Sequence, residues 1–154
     1  MNNQSMEVKV KKIAMEERQM VEIYCHQVND QIRDIVTFIK SRQGHLSGSM
    51  DGMQYEIPIT DVYYIEAVDN KVFIYCTQQV YETRQKLYEL EEVLITKHFL
   101  RVSKSILINL MKVKALKPAL NGRFMAILPN GEEVIISRKY VQELKLTLKG
   151  GNRD

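Results

Sequence analysis

Short apolar runs separated by turn residues dominate the sequence from about residue 50 onward, and they predict a sheet of short strands. Residues 61–68 form a mainly apolar run, Asp-Val-Tyr-Tyr-Ile-Glu-Ala-Val, the pair Asp69-Asn70 follows, and a second apolar run covers 71–77. This order of run, turn and run is typical of a β-hairpin. Further strands are predicted within 53–59, 80–81, 99–109, 113–116, 124–128 and 134–137, the last three separated by Asn121-Gly122 and Asn130-Gly131.

Helical spacing of apolar residues occurs in three places. Ile32, Ile35, Val36 and Ile39 fall at i, i+3, i+4 and i+7, which is one stripe of a helix. Asn29 or Asp30 can cap this helix, and Gly44 is placed to end it. A second helix is predicted over 84–95, with Leu87, Leu90 and Leu94 on one face, and a third from Ser137 with Val141, Leu144 and Leu148.

The N-terminal 49 residues have a different pattern from the rest. Val8, Val10 and Ile13 indicate one strand, Met20, Val21, Ile23 and Tyr24 a second, with the polar residues 16–19 as a turn. With the first helix they predict a small α/β unit over 1–49, followed by a mainly β domain over 50–150. The glycine- and serine-rich segment 44–52 is either a link or a hairpin.

Charge is unevenly distributed although the net charge is only +3. Residues 1–96 contain 10 Lys and Arg against 15 Asp and Glu, whereas residues 97–149 contain 11 against 3. The basic half points to a polyanionic partner, with a merely solvated basic face as the alternative. No apolar run approaches the ~18 residues of a membrane span, and Cys25 and Cys76 lie in apolar runs. A cytoplasmic protein with two buried free thiols is therefore predicted.

The residues that could carry catalysis or bind metal are scattered. His26, His45 and His98 form no cluster, and Glu66 is a carboxylate among core-like neighbours without a partner base or nucleophile. The sequence therefore predicts no catalytic residues, no metal site, no cofactor and no enzyme.

The segment 99–109, Phe-Leu-Arg-Val-Ser-Lys-Ser-Ile-Leu-Ile-Asn, combines strand-forming apolar residues with hydrogen-bond donors. Donors at the ends of a rigid strand are what a phosphate-contacting surface requires. The plainer interpretation of these eleven residues is a strand–turn–strand unit with a solvated basic turn.

Four ordered stretches resemble the LytTR family of bacterial DNA-binding transcriptional regulators. They are the segments 61–70 and 99–109, the turn Asn130-Gly131, and Ile136-Ser-Arg-Lys-Tyr-Val141. Ser103 stands where many members have His, and Ile106 where many have Tyr or Phe. The departure at Ser103 puts one DNA contact in doubt, and neither departure disturbs the expected fold.

The resemblance implies an elongated β fold with short helices whose loops and strand ends enter successive major grooves. It implies a homodimer on DNA, bound to paired direct repeats of double-stranded DNA. Residues 1–49 are too few for a receiver domain of roughly 100 residues, so the likeness is to stand-alone members, which are often encoded beside a small membrane protein that would be a partner. The DNA-contacting positions carried over are Asn70, Lys71, Ser103, Lys104, Ser105, Asn109, Arg138 and Lys139.

A transcriptional regulator that reads double-stranded DNA is therefore the leading hypothesis. Arg101, Lys104 and Arg138 would anchor phosphates, while Asn109, Lys139 and Lys71 would read base edges. For Asn109 the alternative is an amide that caps a turn and holds the strand end. The rival functions are an RNA-binding module, an adaptor for a membrane partner in which residues 1–49 do the binding, and a small hydrolase.

Overall fold

The computed structural model describes residues 5–151, with side chains up to Thr147. Its α-helices and β-strands are, in chain order, α1 Asp30–Arg42, β1 His45–Met50, β2 Met53–Pro58, β3 Tyr64–Val68, β4 Lys71–Tyr75, β5 Val80–Thr83, α2 Leu87–Leu94, β6 Phe99–Ser103, β7 Ile106–Asn109, β8 Ala115–Pro118, β9 Phe124–Ile127, β10 Glu133–Ile136 and α3 Arg138–Gly151. The predicted fold class, mainly β with short helices after a small N-terminal unit, is confirmed. No described helix is long and apolar enough to cross a membrane.

The strands form two antiparallel sheets. Seven strands make the larger sheet in the order β2-β1-β5-β4-β3-β7-β6, and the smaller sheet has the order β10-β9-β8. Strand β2 is an edge strand, as Pro58 indicated, because proline cannot donate a ladder hydrogen bond.

Two apolar cores hold these layers together. One lies between the large sheet and α2, and it includes Leu90 and Leu94 of the predicted helix face. The other lies where β6 and β7 meet the small sheet and α3, and it includes Val141 and Leu144. The side chain of Leu148, also predicted for this face, lies outside the described residues. Because α2 covers one side of β7 and the small sheet and α3 cover the other, this strand is buried on both faces.

The two strands predicted within residues 6–26 do not form. Between Ser5 and Asn29 the structure has turns but neither strand nor helix. The alternating apolar residues are there, but no neighbouring strand pairs with them, and Val8 and Val10 are 86% and 95% exposed. An isolated two-stranded hairpin is marginal in water because it has no second layer to bury its apolar face.

Helix α1 has the termini that the sequence predicted. The Asn29 side chain accepts a hydrogen bond of 3.0 Å from the Ile32 N–H, and Gly44 follows the helix with a φ of +96°. Only Ile32 of the apolar stripe is fully buried. The rest of the stripe is half-buried, and exposed ion pairs add links from the helix to neighbouring elements: Asp30 to Arg84 at 2.9 Å, and Lys40 to Glu56. The Arg84 guanidinium holds the pKa of Asp30 below its usual value.

The segment 44–52 is a hairpin and not a link. Strand β1 pairs with β2 across the Asp51-Gly52 turn and also with β5, so the large sheet begins before the predicted domain boundary at residue 50. Gly48 is required in β1, because a Cβ there would stand 2.8 Å from the Tyr81 Cβ.

The two cysteines differ in environment, and both are free. Cys25 is exposed, which contradicts its predicted burial, because the strand expected to bury it is absent. Cys76 is half-buried just after β4, and burial together with the nearby Asp61 carboxylate raises the pKa of its thiol to about 11.

We expect Cys25 to react with iodoacetamide much faster than Cys76. The thiolate is the nucleophile, and at about pH 8 a thiol with a pKa near 11 is only about one part in a thousand ionised. Raising the pH towards 11 should speed the labelling of Cys76. Peptide mass mapping after timed quenching measures both rates, and equal rates at about pH 8 would contradict the burial of Cys76.

Candidate nucleic-acid interface

The hairpin β3–β4 presents the first pair of predicted contact residues. Its turn residues Asp69 and Asn70 have φ values of 50° and 66°, the left-handed conformation that a two-residue hairpin turn favours. Asn70 and Lys71 are both exposed at this turn. The backbone on either side of the turn is held by the pairing of β3 with β4, which runs from Val68 opposite Lys71 to Tyr64 opposite Tyr75.

The hairpin β6–β7 presents the second group. Lys104 is exposed at its turn, whereas Ser103 and Ser105 are partly buried. The Ser103 hydroxyl accepts a hydrogen bond of 3.2 Å from the Ser105 N–H, so this serine shapes the turn. A register shift between Arg101 and Ser103 lets the strand bend just before the turn.

Two backbone hydrogen bonds bring the predicted segments to one end of the molecule. The Ala67 N–H donates to the Ser105 carbonyl at 2.9 Å, which joins the two hairpin turns. The Ser137 N–H donates to the Val102 carbonyl at 2.9 Å, which places the start of α3, with exposed Arg138 and Lys139, beside the end of β6.

Arg123 lies at the same end, and the sequence analysis missed it. The loop before it packs on α3, since a Cβ on Gly122 would stand 3.1 Å from Cδ of Arg138. Arg123 itself is exposed. Arg123 could have been found from the sequence, because it directly follows the Asn121-Gly122 turn in the basic half of the chain. We call the exposed residues that converge here the basic tip: Asn70, Lys71, Lys104, Arg123, Arg138 and Lys139.

Arg101, a predicted phosphate anchor, is engaged inside the protein. Its Nη2 lies 2.8 Å from a carboxylate oxygen of Glu91, and its Nη1 donates to the Lys104 carbonyl at 2.7 Å. The side chain is only 17% exposed. A phosphate contact would require these bonds to break, so we assign Arg101 the role of bracing the β6–β7 turn against α2.

Asn109, the predicted base reader, is buried with 3% exposure. Its Nδ2 donates to the Val62 carbonyl at 2.9 Å, and its Oδ1 accepts from the Met111 N–H at 3.0 Å. It also lies at the end of β7 opposite the Lys104 turn. The geometry contradicts a base contact and gives Asn109 the alternative role, that of holding the strand end and capping the turn after it.

An acidic groove flanks the basic tip. Glu66 and Glu133 line it together with Arg123 of the tip, and the Tyr64 hydroxyl donates to Glu132 at 2.9 Å. Burial and the Glu132 carboxylate raise the pKa of Tyr64. The ring of Tyr64 stacks on that of Tyr75, with 4.4 Å between the ring centroids. Carboxylates repel phosphate, so the groove gives the tip a negative border, with Arg123 at the boundary between the two. Within residues 5–151 no three His, Cys, Asp or Glu side chains lie close enough to hold a metal ion.

Relatives of two lengths resemble this chain. The sensory transduction protein LytT of Enterococcus faecalis is 31% identical over 91 residues, 59% of this chain and 38% of that protein. LytT of Bacillus anthracis is 32% identical over 93 residues, 60% of this chain and 38% of that protein. An uncharacterized HTH-type transcriptional regulator of Staphylococcus aureus is 26% identical over 134 residues, 86% of this chain and 90% of that protein. The chain thus spans less than half the length of the LytT proteins.

A solved structure shares the fold. It is the LytTr DNA-binding domain of a methyl-accepting/DNA response regulator from Bacillus cereus, with a TM-score of 0.65 and 25% identity over 68% of this chain and 96% of that one. In residues 5–151 strands separate the three α-helices, so the described chain contains no helix-turn-helix. The LytTr DNA-binding domain model matches residues 52–149, which include every residue of the basic tip. The chain therefore belongs to the LytTr DNA-binding domain family.

Proposed function

We propose that this protein is a bacterial, cytoplasmic transcriptional regulator that binds specific double-stranded DNA sequences with the basic tip and performs no catalysis. DNA binding and transcription regulation are the functions of its family and relatives. The observation that carries the finer proposal is the convergence of two hairpin turns, the Arg123 loop and the start of α3. Five exposed cations meet there, and Asp69 is the one acidic residue in the turns that form the tip.

The tip has the shape of a reader of the major groove. That groove is about 12 Å wide and admits a two-stranded ribbon. Lys104, Arg123 and Arg138 lie on different segments, so they can contact phosphates on both sides of a groove while the turns enter it. Asn70, Lys71 and Lys139 would then read base edges, with Ser103 and Ser105 shaping the β6–β7 turn.

Each chain has one such tip, and one tip covers only a short run of base pairs. We therefore infer that two copies bind together, on paired direct repeats. An RNA-binding function is less well supported, because single-stranded RNA is recognised chiefly by stacking on exposed aromatic side chains. None of the six basic-tip residues is aromatic.

Selection from a random pool of double-stranded DNA, followed by sequencing, tests the proposal. We expect enrichment of a short motif, found twice in the same orientation. A parallel selection with single-stranded RNA should give no motif. Enrichment of RNA alone, or no enrichment of DNA over a protein-free control, would overturn the proposal.

Asn70→Gly is expected to reduce sequence discrimination while leaving the fold intact. Glycine accepts the left-handed φ of 66° at this turn, so only the amide is lost. An amide that pairs with adenine contributes about 1–3 kcal/mol of discrimination. Binding to the selected site should therefore weaken by about tenfold or more, with binding to random DNA unchanged. Competitive titration of both DNAs measures the ratio.

The matched control for this variant is Asp51→Gly. Asp51 also has a positive φ, 52°, in a hairpin turn, but that turn joins β1 to β2 at the opposite end of the sheet. Its discrimination ratio should equal that of the unaltered protein. An equal ratio for Asn70→Gly would show that Asn70 only forms the turn.

A further inference from the structure

Residues 6–28, which we call the N-terminal arm, expose many apolar side chains. Val8 and Val10 are almost fully exposed, Met15 is 98% exposed and Tyr24 is 88% exposed. Met20, Val21 and Val28 are exposed as well. Isolated exposed apolar residues are ordinary, but a contiguous set of this length marks an interaction surface.

The backbone of the arm is also almost unpaired. Within the described part of the chain, residues 5–28 make a single backbone–backbone hydrogen bond, from the Glu17 N–H to the Ala14 carbonyl at 3.1 Å. Backbone N–H and C=O groups of extended chains are ready partners for another strand. Val8 and Val10 alternate with charged residues before this turn, and Val21, Ile23 and Tyr24 follow it as a second run of strand-forming residues that lacks a partner.

The charges on the arm are self-complementary. Residues 7–12 carry one Glu and three Lys, whereas residues 16–22 carry three Glu and one Arg. A second copy of the arm, turned by a two-fold axis, therefore sets basic against acidic segments at both of its contacts. A surface of one sign of charge, such as an anionic membrane, would attract the basic segment 7–12 and repel the acidic segment 16–22.

We propose that the arms of two copies pair with each other through intermolecular β-strand hydrogen bonds and form a homodimer. The basic segment 7–12 of each copy lies along the acidic segment 16–22 of the other, and the apolar residues between the charges become buried. Only the biological role of this dimer, which is to bring two basic tips to paired DNA sites, rests on the proposed function. The contact between the two arms needs no DNA.

Sedimentation equilibrium of the full chain, without DNA, gives the first test. We expect a species of twice the 18.0 kDa chain mass. The double variant Val8→Asp/Val10→Asp should sediment at 18.0 kDa, with at least a tenfold weaker dimer. Both side chains touch solvent in the single chain, so the variant should keep the fold of the rest of the chain and lose only the β-strand signal of the paired arms in its circular dichroism.

The matched control is Met111→Asp/Tyr88→Asp. These side chains are 73% and 66% exposed and lie outside both the arm and the basic tip. This variant should remain dimeric. All variants should bind DNA that carries one half-site as the unaltered protein does. Failure of half-site binding in the unaltered protein overturns the proposed function alone, whereas dimer loss in the control overturns the arm contact.

A charge exchange tests the pairing of segments. Lys9→Glu/Lys11→Glu makes the whole arm acidic, and Glu16→Lys/Glu22→Lys makes it basic. Each variant alone should be monomeric, and their mixture should restore the dimer as a heterodimer, which a mass tag on one of them identifies. An unaltered protein that sediments as a monomer, or a mixture that stays monomeric while the unaltered protein is dimeric, overturns the proposal.

Discussion

Asn109→Ala is expected to lower the free energy of unfolding by about 2–4 kcal/mol, because it leaves the buried Val62 carbonyl without a donor and removes a turn cap. An unsatisfied buried acceptor costs about 1–3 kcal/mol, and loss of a capping side chain costs about 1 kcal/mol. Urea denaturation followed by circular dichroism measures the change. Below its melting temperature, the variant should bind selected and random DNA with the ratio of the unaltered protein.

Asn130→Ala is the matched control for Asn109→Ala. Asn130 also accepts a backbone hydrogen bond, 3.0 Å from the Glu132 N–H, but it is exposed, so water can replace its amide. Its effect should stay below about 1 kcal/mol. A stable Asn109→Ala variant that loses its preference for the selected site would restore the base-reading role to Asn109 and contradict the structure.

The contrast between Asn109 and Asn70 shows what the sequence could predict. Both end apolar strands, and both offer an amide at a turn. Asn109 directly follows the continuous apolar run Ile106-Leu107-Ile108. A strand that is apolar at every position is buried on both faces, whereas an alternating strand is buried on one face only. A polar residue that directly continues such a run points into the interior, whereas Asn70 follows a strand with the half-buried Glu66 and lies outside.

The local patterns succeeded where the partner of each residue is close in the sequence. Hairpin β3–β4 follows from two apolar runs around a turn pair, and helix α2 from helical spacing, all within about a dozen positions. The sequence did not reveal the ion pair of Arg101, because its partner Glu91 lies on another element. Only the packing of α2 against β6 brings Nη2 of Arg101 to 2.8 Å from Oε1 of Glu91. The strands predicted within 6–26 failed for a different reason: the described chain supplies no strand to pair with them.

Lys104→Ala/Arg123→Ala removes two of the three proposed phosphate contacts, so it is expected to weaken binding to selected and random DNA equally. If the affinities of the two proteins are equal near 1 M salt, the loss at ~0.15 M salt should be about 30-fold. Each cation that neutralises a phosphate contributes about −0.9 to the slope of log affinity against log salt. The three proposed phosphate contacts, Lys104, Arg123 and Arg138, give a slope of about −2.7, and the double variant should have about −0.9. Both side chains are exposed, so the melting temperature should not change.

Lys97→Ala/Lys114→Ala is the matched control, because it removes the same charge from the opposite end of the sheets. It distinguishes phosphate contacts at the tip from attraction by the net charge of the protein. Lys97 and Lys114 are exposed, and they precede β6 and β8, whose other ends face the basic tip. If the tip carries the phosphate contacts, this control keeps a slope of about −2.7. Equal losses in the two double variants would mean that DNA is attracted by the overall charge of the basic half. An unchanged slope after Lys104→Ala/Arg123→Ala would place the phosphate contacts elsewhere on the protein.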